Sequence, residues 1–276
     1  MSIQPKASDR KVRSGFRNDP MRKKGIQSEV GKSRRLFRFD LAVKFGTVIL
    51  EQIDSGARAR FITFEGGEGV GKSTQVKRLL ARLARHDIEA VRTREPGGTP
   101  RAEAIRSFIL QGRSESWGAG AEAVLFAAAR LDHVDALIAP NLDAGRWVLS
   151  DRFHDSTRAY QGLTGGVDDK LIRGLEDLAL HGRVPDLTLV LDMDPEIAFN
   201  RLSQRTVEAG LEATGDRFEK EDLLWHRRLR DNFLTIARNN PERCVVIAAD
   251  LDEDELEETI WRIVAARYLQ HLGAEA

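Results

Sequence analysis

The stretch Gly66-Gly67-Glu68-Gly69-Val70-Gly71-Lys72-Ser73-Thr74 carries the most explicit chemistry in the chain. It fits glycine, four variable residues, then Gly-Lys-Ser/Thr. Glycines let the backbone curl until several N–H groups face inward at phosphate oxygens. Lys72 can reach the β- and γ-phosphates, and the Ser73 hydroxyl can ligate Mg²⁺. A helix starting here turns its positive end toward the same phosphates. The pattern predicts a nucleoside triphosphate site.

Passing a phosphoryl group on needs positioning and positive charge more than a covalent catalyst. Three further clusters could supply both. At one apolar strand end stands Asp151-Arg152-Phe153. Asp151 could hold Mg²⁺ directly or through water, and Arg152 could grip a phosphate with two nitrogens. Asp192, at the end of Leu189-Val190-Leu191, is a rival Mg²⁺ carboxylate, and the sequence leaves that choice open. The second cluster is Arg201, Arg205 and Arg217, which flank a polar loop; a lid over about 201–217 could close on a triphosphate, although the same spacing also describes a solvated basic helix face. The third is Glu95 with Arg106, and Phe126 with Arg130. Phe126 could stack on a base or simply fill the core.

The elements that would position these residues alternate strand and helix. Phe61, Ile62 and Phe64 lead into the phosphate loop, and Lys72–His86 puts Val76, Leu79, Leu80 and Leu83 on one helical face. A second strand starts at Ala90 and stops at Pro96-Gly97-Gly98. Thr99-Pro100 reads as an N-cap and first-turn proline of a helix to Leu110. Gln111–Gly120 reads as loop, and Ala121–Ile138 as a helix halted near Pro140. Strands at Trp147–Asp151, Leu187–Asp192 and Val245–Ile247 are separated by helices at Asp168–His181, Pro195–Arg205 and Glu219–Asn239, with a last helix at Asp252–Leu272. The expectation is a three-layer α/β fold of the P-loop kind: a five-stranded parallel sheet with helices on both faces, and ligands at the carboxyl ends of its strands.

The 276 residues carry no net charge, but the charge is unevenly placed. Residues 1–60 hold 15 Lys/Arg against 6 Asp/Glu, leaving 28 and 37 of the totals of 43 each for the rest. Residues 1–56 read as a basic, disordered extension, with organelle targeting as another reading. Nucleic-acid binding ranks last, because few aromatics are present to stack bases. The catalytic domain is expected over 57–276. One cysteine excludes an internal disulfide framework, and no Cys/His cluster has zinc-like spacing. No apolar run approaches the roughly 20 residues of a membrane helix, so a cytoplasmic protein is expected.

From about Arg60 to Tyr268 the chain resembles the thymidylate kinases. The stretches that carry the likeness are Phe64–Thr74, Thr93-Arg94-Glu95-Pro96-Gly97-Gly98-Thr99, Leu125–Arg130, Ser150-Asp151-Arg152-Phe153, Ser156–Gly162 and Pro185–Asp192. The Arg-Glu-Pro-Gly-Gly and Ala-Tyr-Gln-Gly segments are far more specific than the phosphate loop. The resemblance implies ATP- and Mg²⁺-dependent phosphorylation of dTMP to dTDP, toward dTTP, by a homodimer. It would stack Phe126 on thymine, set Arg130 at O4, and bring Thr157 and Gln161 to the base edge. Tyr160 would lie under the deoxyribose and exclude a 2′-hydroxyl. Arg106 and Arg152 would hold the monophosphate, with Glu95 near the acceptor and the metal. Glu68 in the loop, with Arg201 and Arg205 in the lid, fits the bacterial subclass, and Arg205 is the expected lid arginine of the transition state. The basic extension and the segment Ile247-Ala248-Ala249-Asp250 depart from the family pattern. The nearest alternative is a deoxynucleoside kinase, which would need a carboxylate base. A P-loop GTPase is disfavoured because no Asn-Lys-x-Asp guanine motif occurs.

Overall fold

The computed structural model describes residues 58–208, 218 and 221–270, with 205–208 described in backbone only. They fall within the compact unit Asp54–Ala276. The expected extension, residues 1–56, and the lid loop from 209 to 217 lie outside the described residues.

Five strands form one parallel sheet: β1 (Phe61–Gly66), β2 (Ala90–Arg94), β3 (Trp147–Asp151), β4 (Leu187–Asp192) and β5 (Cys244–Ala248). Their spatial order is β2-β3-β1-β4-β5, and every neighbouring pair is parallel, so helices must connect them across the faces of the sheet. The expected sheet is therefore the observed one. β1 is central and buried along its whole length, and its side chains alternate between the two faces. Ile62 and Phe64 point toward α1 (Lys72–Arg85) and α9 (Glu253–Tyr268), where Val76, Leu79, Leu83, Ile260 and Val264 complete a core. Each of these side chains contributes about 1.5–3 kcal/mol by leaving water. Phe61, Thr63 and Glu65 face the other way. Thr63 pairs its hydroxyl with that of Thr188 at 2.9 Å, and Phe61 packs edge-on against Phe153 at 4.8 Å.

The other helices are α2 (Pro100–Leu110), α3 (Gly118–His133), α4 (Ala139–Asp143), α5 (His154–Thr157), α6 (Asp169–Leu180), α7 (Pro195–Glu208) and α8 (Leu223–Asn239). Thr99 caps α2 as its sequence predicts, its hydroxyl accepting from the Ala102 amide at 3.2 Å.

Two expectations need correction. The helix after Gly120 does not stop near Pro140. It passes through a π-helical turn (Val134–Ile138) into α4, and Pro140 sits in the first turn of α4. A first-turn N–H has no intrahelical partner, so a proline costs little there. The expected loop Gln111–Gly120 also contains a 3₁₀ turn (Glu115–Trp117), and α3 begins at Gly118. A second π-helical segment, Arg158–Thr164, follows α5.

Candidate active site

The loop between β1 and α1 takes its shape from its glycines. Gly66, Gly69 and Gly71 have φ of 130°, 72° and 97°. A Cβ on Gly66 would come within 2.4 Å of the Leu191 carbonyl oxygen, so only glycine lets the loop lie against β4. Val70 anchors the loop by burying its side chain in the core. Lys72 opens α1, and its ammonium donates to the carbonyls of Gly66 and Gly67. Burial pulls its pKa below the usual lysine value, and the Arg152 charge adds to the effect. Glu68, Asp151 and Glu65 act against it.

β3 pairs directly with β1, which brings the two strand ends together. The Ser73 hydroxyl donates to the Asp151 carboxylate. Asp192 instead makes a two-point ion pair with Arg230 on α8, at 2.6 and 2.9 Å. Arg152 lies next to Asp151 with φ 68°, a backbone region that non-glycine residues enter only where the surroundings enforce it. The enforcement is visible here. The Arg152 amide donates to the Phe64 carbonyl at 2.9 Å. Its Nη1 donates to the Gly66 carbonyl (3.0 Å) and the Ser156 hydroxyl (3.2 Å), and its Nη2 donates to Glu68 Oε1 (2.6 Å).

Glu68 also accepts from the Tyr160 hydroxyl at 2.6 Å. Burial alone would raise its pKa, but Arg152, Lys72 and the Tyr160 hydrogen bond overcome that and hold it at about 2. The arginine and the tyrosine that the family resemblance would set at the phosphate and the sugar therefore meet on one loop carboxylate. Tyr160 is itself packed edge-on against Phe218 (5.3 Å) and Trp225 (5.6 Å).

A cavity of ≈ 320 Å³ opens between these groups at the carboxyl ends of the strands. The loop and the first turn of α1 line it with Glu68, Gly69, Gly71, Lys72, Ser73 and Thr74, and the end of β3 and the residue after it with Asp151 and Arg152. Glu95, Arg106, Phe126, Arg130, Thr157, Tyr160 and Gln161 also line it. Arg106 donates from Nη1 to the Pro96 carbonyl at 2.8 Å. Arg130 is buried, donating from Nε to Glu95 at 2.8 Å and from Nη2 to the Thr157 hydroxyl at 3.1 Å. Most site residues expected on the loop, after β2, on α3 and after β3 thus line one cavity; Gly66, Gly67 and Val70 shape the loop but do not line it. Arg201 is not among the residues lining the cavity; its guanidinium donates to the carbonyls of Ala249, Asp250 and Leu251, between β5 and α9. The side chain of Arg205 lies outside the described residues.

Sequence reasoning passes over several residues that build this site. Glu65 is fully buried in β1 and accepts from the Phe153 amide (2.8 Å), the Ser156 amide (3.2 Å) and the Ser156 hydroxyl (2.6 Å). It shapes the turn that carries Arg152. Burial, reinforced by the Asp155 charge, pushes its pKa up to about 7, against Arg152 and the hydrogen bonds from the Ser156 hydroxyl and the Phe153 amide, which favour the anion. The available signal was a carboxylate inside an otherwise apolar buried strand. Phe218, which lines the cavity beside Tyr160, has no such signal.

Residues 64–260 match the family model described as thymidylate kinase. A thymidylate kinase of Rhodopseudomonas palustris is 50% identical over 225 residues, covering 81% of this chain and 96% of that protein. One of Nitrobacter winogradskyi is 48% identical over 212 residues, covering 77% and 90%. The crystal structure of thymidylate kinase from Ehrlichia chaffeensis is similar with a TM-score of 0.60 and 31% identity, covering 75% of this chain and 98% of that one. With the loop, the end of β3 and the arginines of α2 and α3 lining one cavity, and with these likenesses over most of its length, the chain belongs to the thymidylate kinase family.

Proposed function

We propose that this chain transfers the γ-phosphoryl group of ATP, in line, to the phosphate of dTMP, giving dTDP and ADP. The observation that carries the reading is a single cavity lined both by the phosphate loop and by Phe126, Arg106 and Arg130, with Arg152 among its lining. The attacking phosphate oxygen is already anionic near neutral pH, so no general base is needed. Catalysis then rests on holding two anions together and neutralising the charge shared between them. Lys72 leaves the loop carbonyls for the β/γ oxygens. Arg152 and Arg106 hold the acceptor phosphate, and Glu68 orients Arg152. Arg205 joins from the lid, and Arg201 supports the adenine side through the loop between β5 and α9. Phe126 stacks on the thymine, Arg130 donates to O4, and Thr157 and Gln161 meet the base edge. Tyr160 excludes a 2′-hydroxyl.

The Ser73 hydroxyl and the Asp151 carboxylate are hard oxygen donors, and they stand together. That pair fits Mg²⁺, which keeps few protein ligands and takes the rest from phosphate and water. Asp192 is the poorer candidate because Arg230 occupies both its oxygens. Bound at Ser73 and Asp151, the ion would supply Lewis-acid neutralisation of the β- and γ-oxygens.

A homodimer acting in the cytoplasm belongs to the same proposal. Val124 on α3 and Leu171 and Leu178 on α6 are apolar side chains exposed on two helices that pack together. Light scattering on the purified chain measures the mass directly.

The deciding assay is ADP release with ATP and Mg²⁺, offering dTMP, dUMP, UMP, dCMP, AMP, GMP and thymidine in parallel. The expected result is strong turnover on dTMP, weaker on dUMP and little on UMP. Turnover on thymidine in preference to dTMP would instead mark a deoxynucleoside kinase.

A further inference from the structure

At the base end of the cavity, a buried histidine stands behind the arginine that faces the ligand. His133 ends α3, one turn beyond Arg130, and is wholly buried. Its Nδ1 lies 2.9 Å from Glu95 Oε1, and its Nε2 lies 2.6 Å from the Thr93 hydroxyl. The other Glu95 oxygen, Oε2, accepts from Arg130 Nε at 2.8 Å. Arg130 Nη2 in turn donates to the Phe153 carbonyl (3.2 Å) and the Thr157 hydroxyl (3.1 Å). A continuous chain of hydrogen bonds thus runs from β2, through α3, to the turn after β3.

We propose that His133 is a positioning residue for base recognition, fixing Glu95 and, through it, the guanidinium of Arg130. This rests on the assignment of dTMP as acceptor and of Arg130 to its base. A carboxylate accepts only, so Nδ1–H donates to Glu95, while Nε2 pairs with the Thr93 hydroxyl. The ring cannot turn away. Gly98 closes over it so tightly that a Cβ there would lie 2.6 Å from His133 Nε2 and 2.5 Å from the Thr93 hydroxyl oxygen. Nε and Nη2 of Arg130 are both engaged, so the plane of the guanidinium is set before a ligand arrives, and Nη1 makes no hydrogen bond among the described residues. Without His133, Glu95 Oε1 loses its partner in a buried site. It would then recruit a second nitrogen of Arg130 and rotate the guanidinium off the base edge.

The test compares His133→Leu, His133→Gln and Thr93→Val with the full chain. Each is assayed with dTMP and with the analogue 5-methyl-2-pyrimidinone deoxyribonucleoside monophosphate, which lacks the 4-oxygen. His133→Leu should raise KM for dTMP about 10- to 100-fold, the usual scale for losing a residue that orients a ligand-binding group. Its kcat and its KM for ATP should stay near wild type, and its KM for the analogue should rise little. Glutamine can donate to Glu95 and accept from Thr93, so His133→Gln should recover most of the loss. Thr93→Val removes only the hydroxyl and should shift KM for dTMP in the same direction by less, which keeps the test open if His133→Leu does not fold. An unchanged KM for dTMP in His133→Leu and Thr93→Val, or equal increases for both acceptors, would overturn the proposal. Failure of the wild-type chain to phosphorylate dTMP would strike the underlying assignment instead.

Discussion

Arg152 Nη2 rests 2.6 Å from Glu68 Oε1, so the arginine that should grip the acceptor phosphate is held by the phosphate loop before any phosphate arrives. The two side chains are 13% and 18% exposed, and neither charge is well solvated without the other. Replacing Glu68 with alanine should lower the thermal midpoint of the free protein, because Arg152 keeps its charge and its φ of 68° but loses its partner. dTMP should then raise the midpoint more in Glu68→Ala than in wild type, because the ligand phosphate replaces the missing carboxylate. Equal ligand-induced shifts in the two proteins, read by scanning fluorimetry, would argue that Arg152 does not meet the phosphate. Glu68 is held at about pKa 2, so its own titration should not show in a rate profile above pH 5.

Lys72 is the group best placed to follow the migrating phosphoryl. Lys72→Ala should reduce kcat by about two to three orders of magnitude or more, the scale of losing a preorganised charge at the reacting centre. Near-normal turnover in steady-state assays would remove the phosphate-loop assignment.

Behind the site, Arg243 and Asp155 form a two-point ion pair with Nη1–Oδ2 at 2.6 Å and Nη2–Oδ1 at 2.8 Å. The pair is almost wholly buried and ties the start of β5 to the turn after β3. Arg243→Met should destabilise the fold by about 3–5 kcal/mol, because it strands a buried carboxylate. The double variant Asp155→Asn/Arg243→Met should lose less than the single one. Urea denaturation of these two and of Asp155→Asn completes the cycle, and additive losses would mean the two charges are not coupled.

His154 makes stability depend on pH. Burial drives its pKa down to about 3, outweighing the Asp155 charge, while Arg158, Arg243 and Arg130 add to the depression. The unfolded chain therefore binds a proton between about pH 3 and 6.5 that the folded chain refuses. The stabilisation is complete above 6.5 and is lost as pH falls toward 3. From pH 7 to pH 5 this group alone should cost about 2 kcal/mol. Glu65, raised to about 7, works with the opposite sign: the folded chain keeps its proton between about 4.5 and 7, so stability falls as pH rises through that window. The two partly cancel in wild type. His154→Phe should expose the Glu65 slope, and Glu65→Gln should expose that of His154. If denaturation midpoints of wild type and His154→Phe run parallel from pH 5 to 7, the histidine does not titrate as described.

Local patterns made much of this legible. The Gly-Lys-Ser motif, the period of Val76, Leu79 and Leu83, and the Thr99-Pro100 cap each state their structure within a few residues. Asp151 and Arg152 could be placed because they follow a short apolar strand. What stayed hidden needs two distant segments at once. Ser73 and Asp151 meet only because β3 pairs beside β1, and Asp192 is drawn to Arg230 only because α8 crosses the end of β4. Sequence spacing alone could not separate those two aspartates. Glu65 and His133 look like strays in apolar surroundings until the groups they bind are brought to them. Pro140 misled for a related reason: a proline stops a helix it interrupts but is tolerated in the first turn of a new one, and the π turn before it marks that restart.

The π-helical segment Arg158–Thr164 carries Tyr160 and Gln161, both of which line the cavity. A π turn holds one more residue than an α turn, and such segments recur at functional sites. Removing one residue here would let the segment relax into an ordinary α-helix and change the directions of the side chains within it. Tyr160 and Gln161 would then lose their aim at the cavity. The length of this segment therefore helps to set where Tyr160 and Gln161 point.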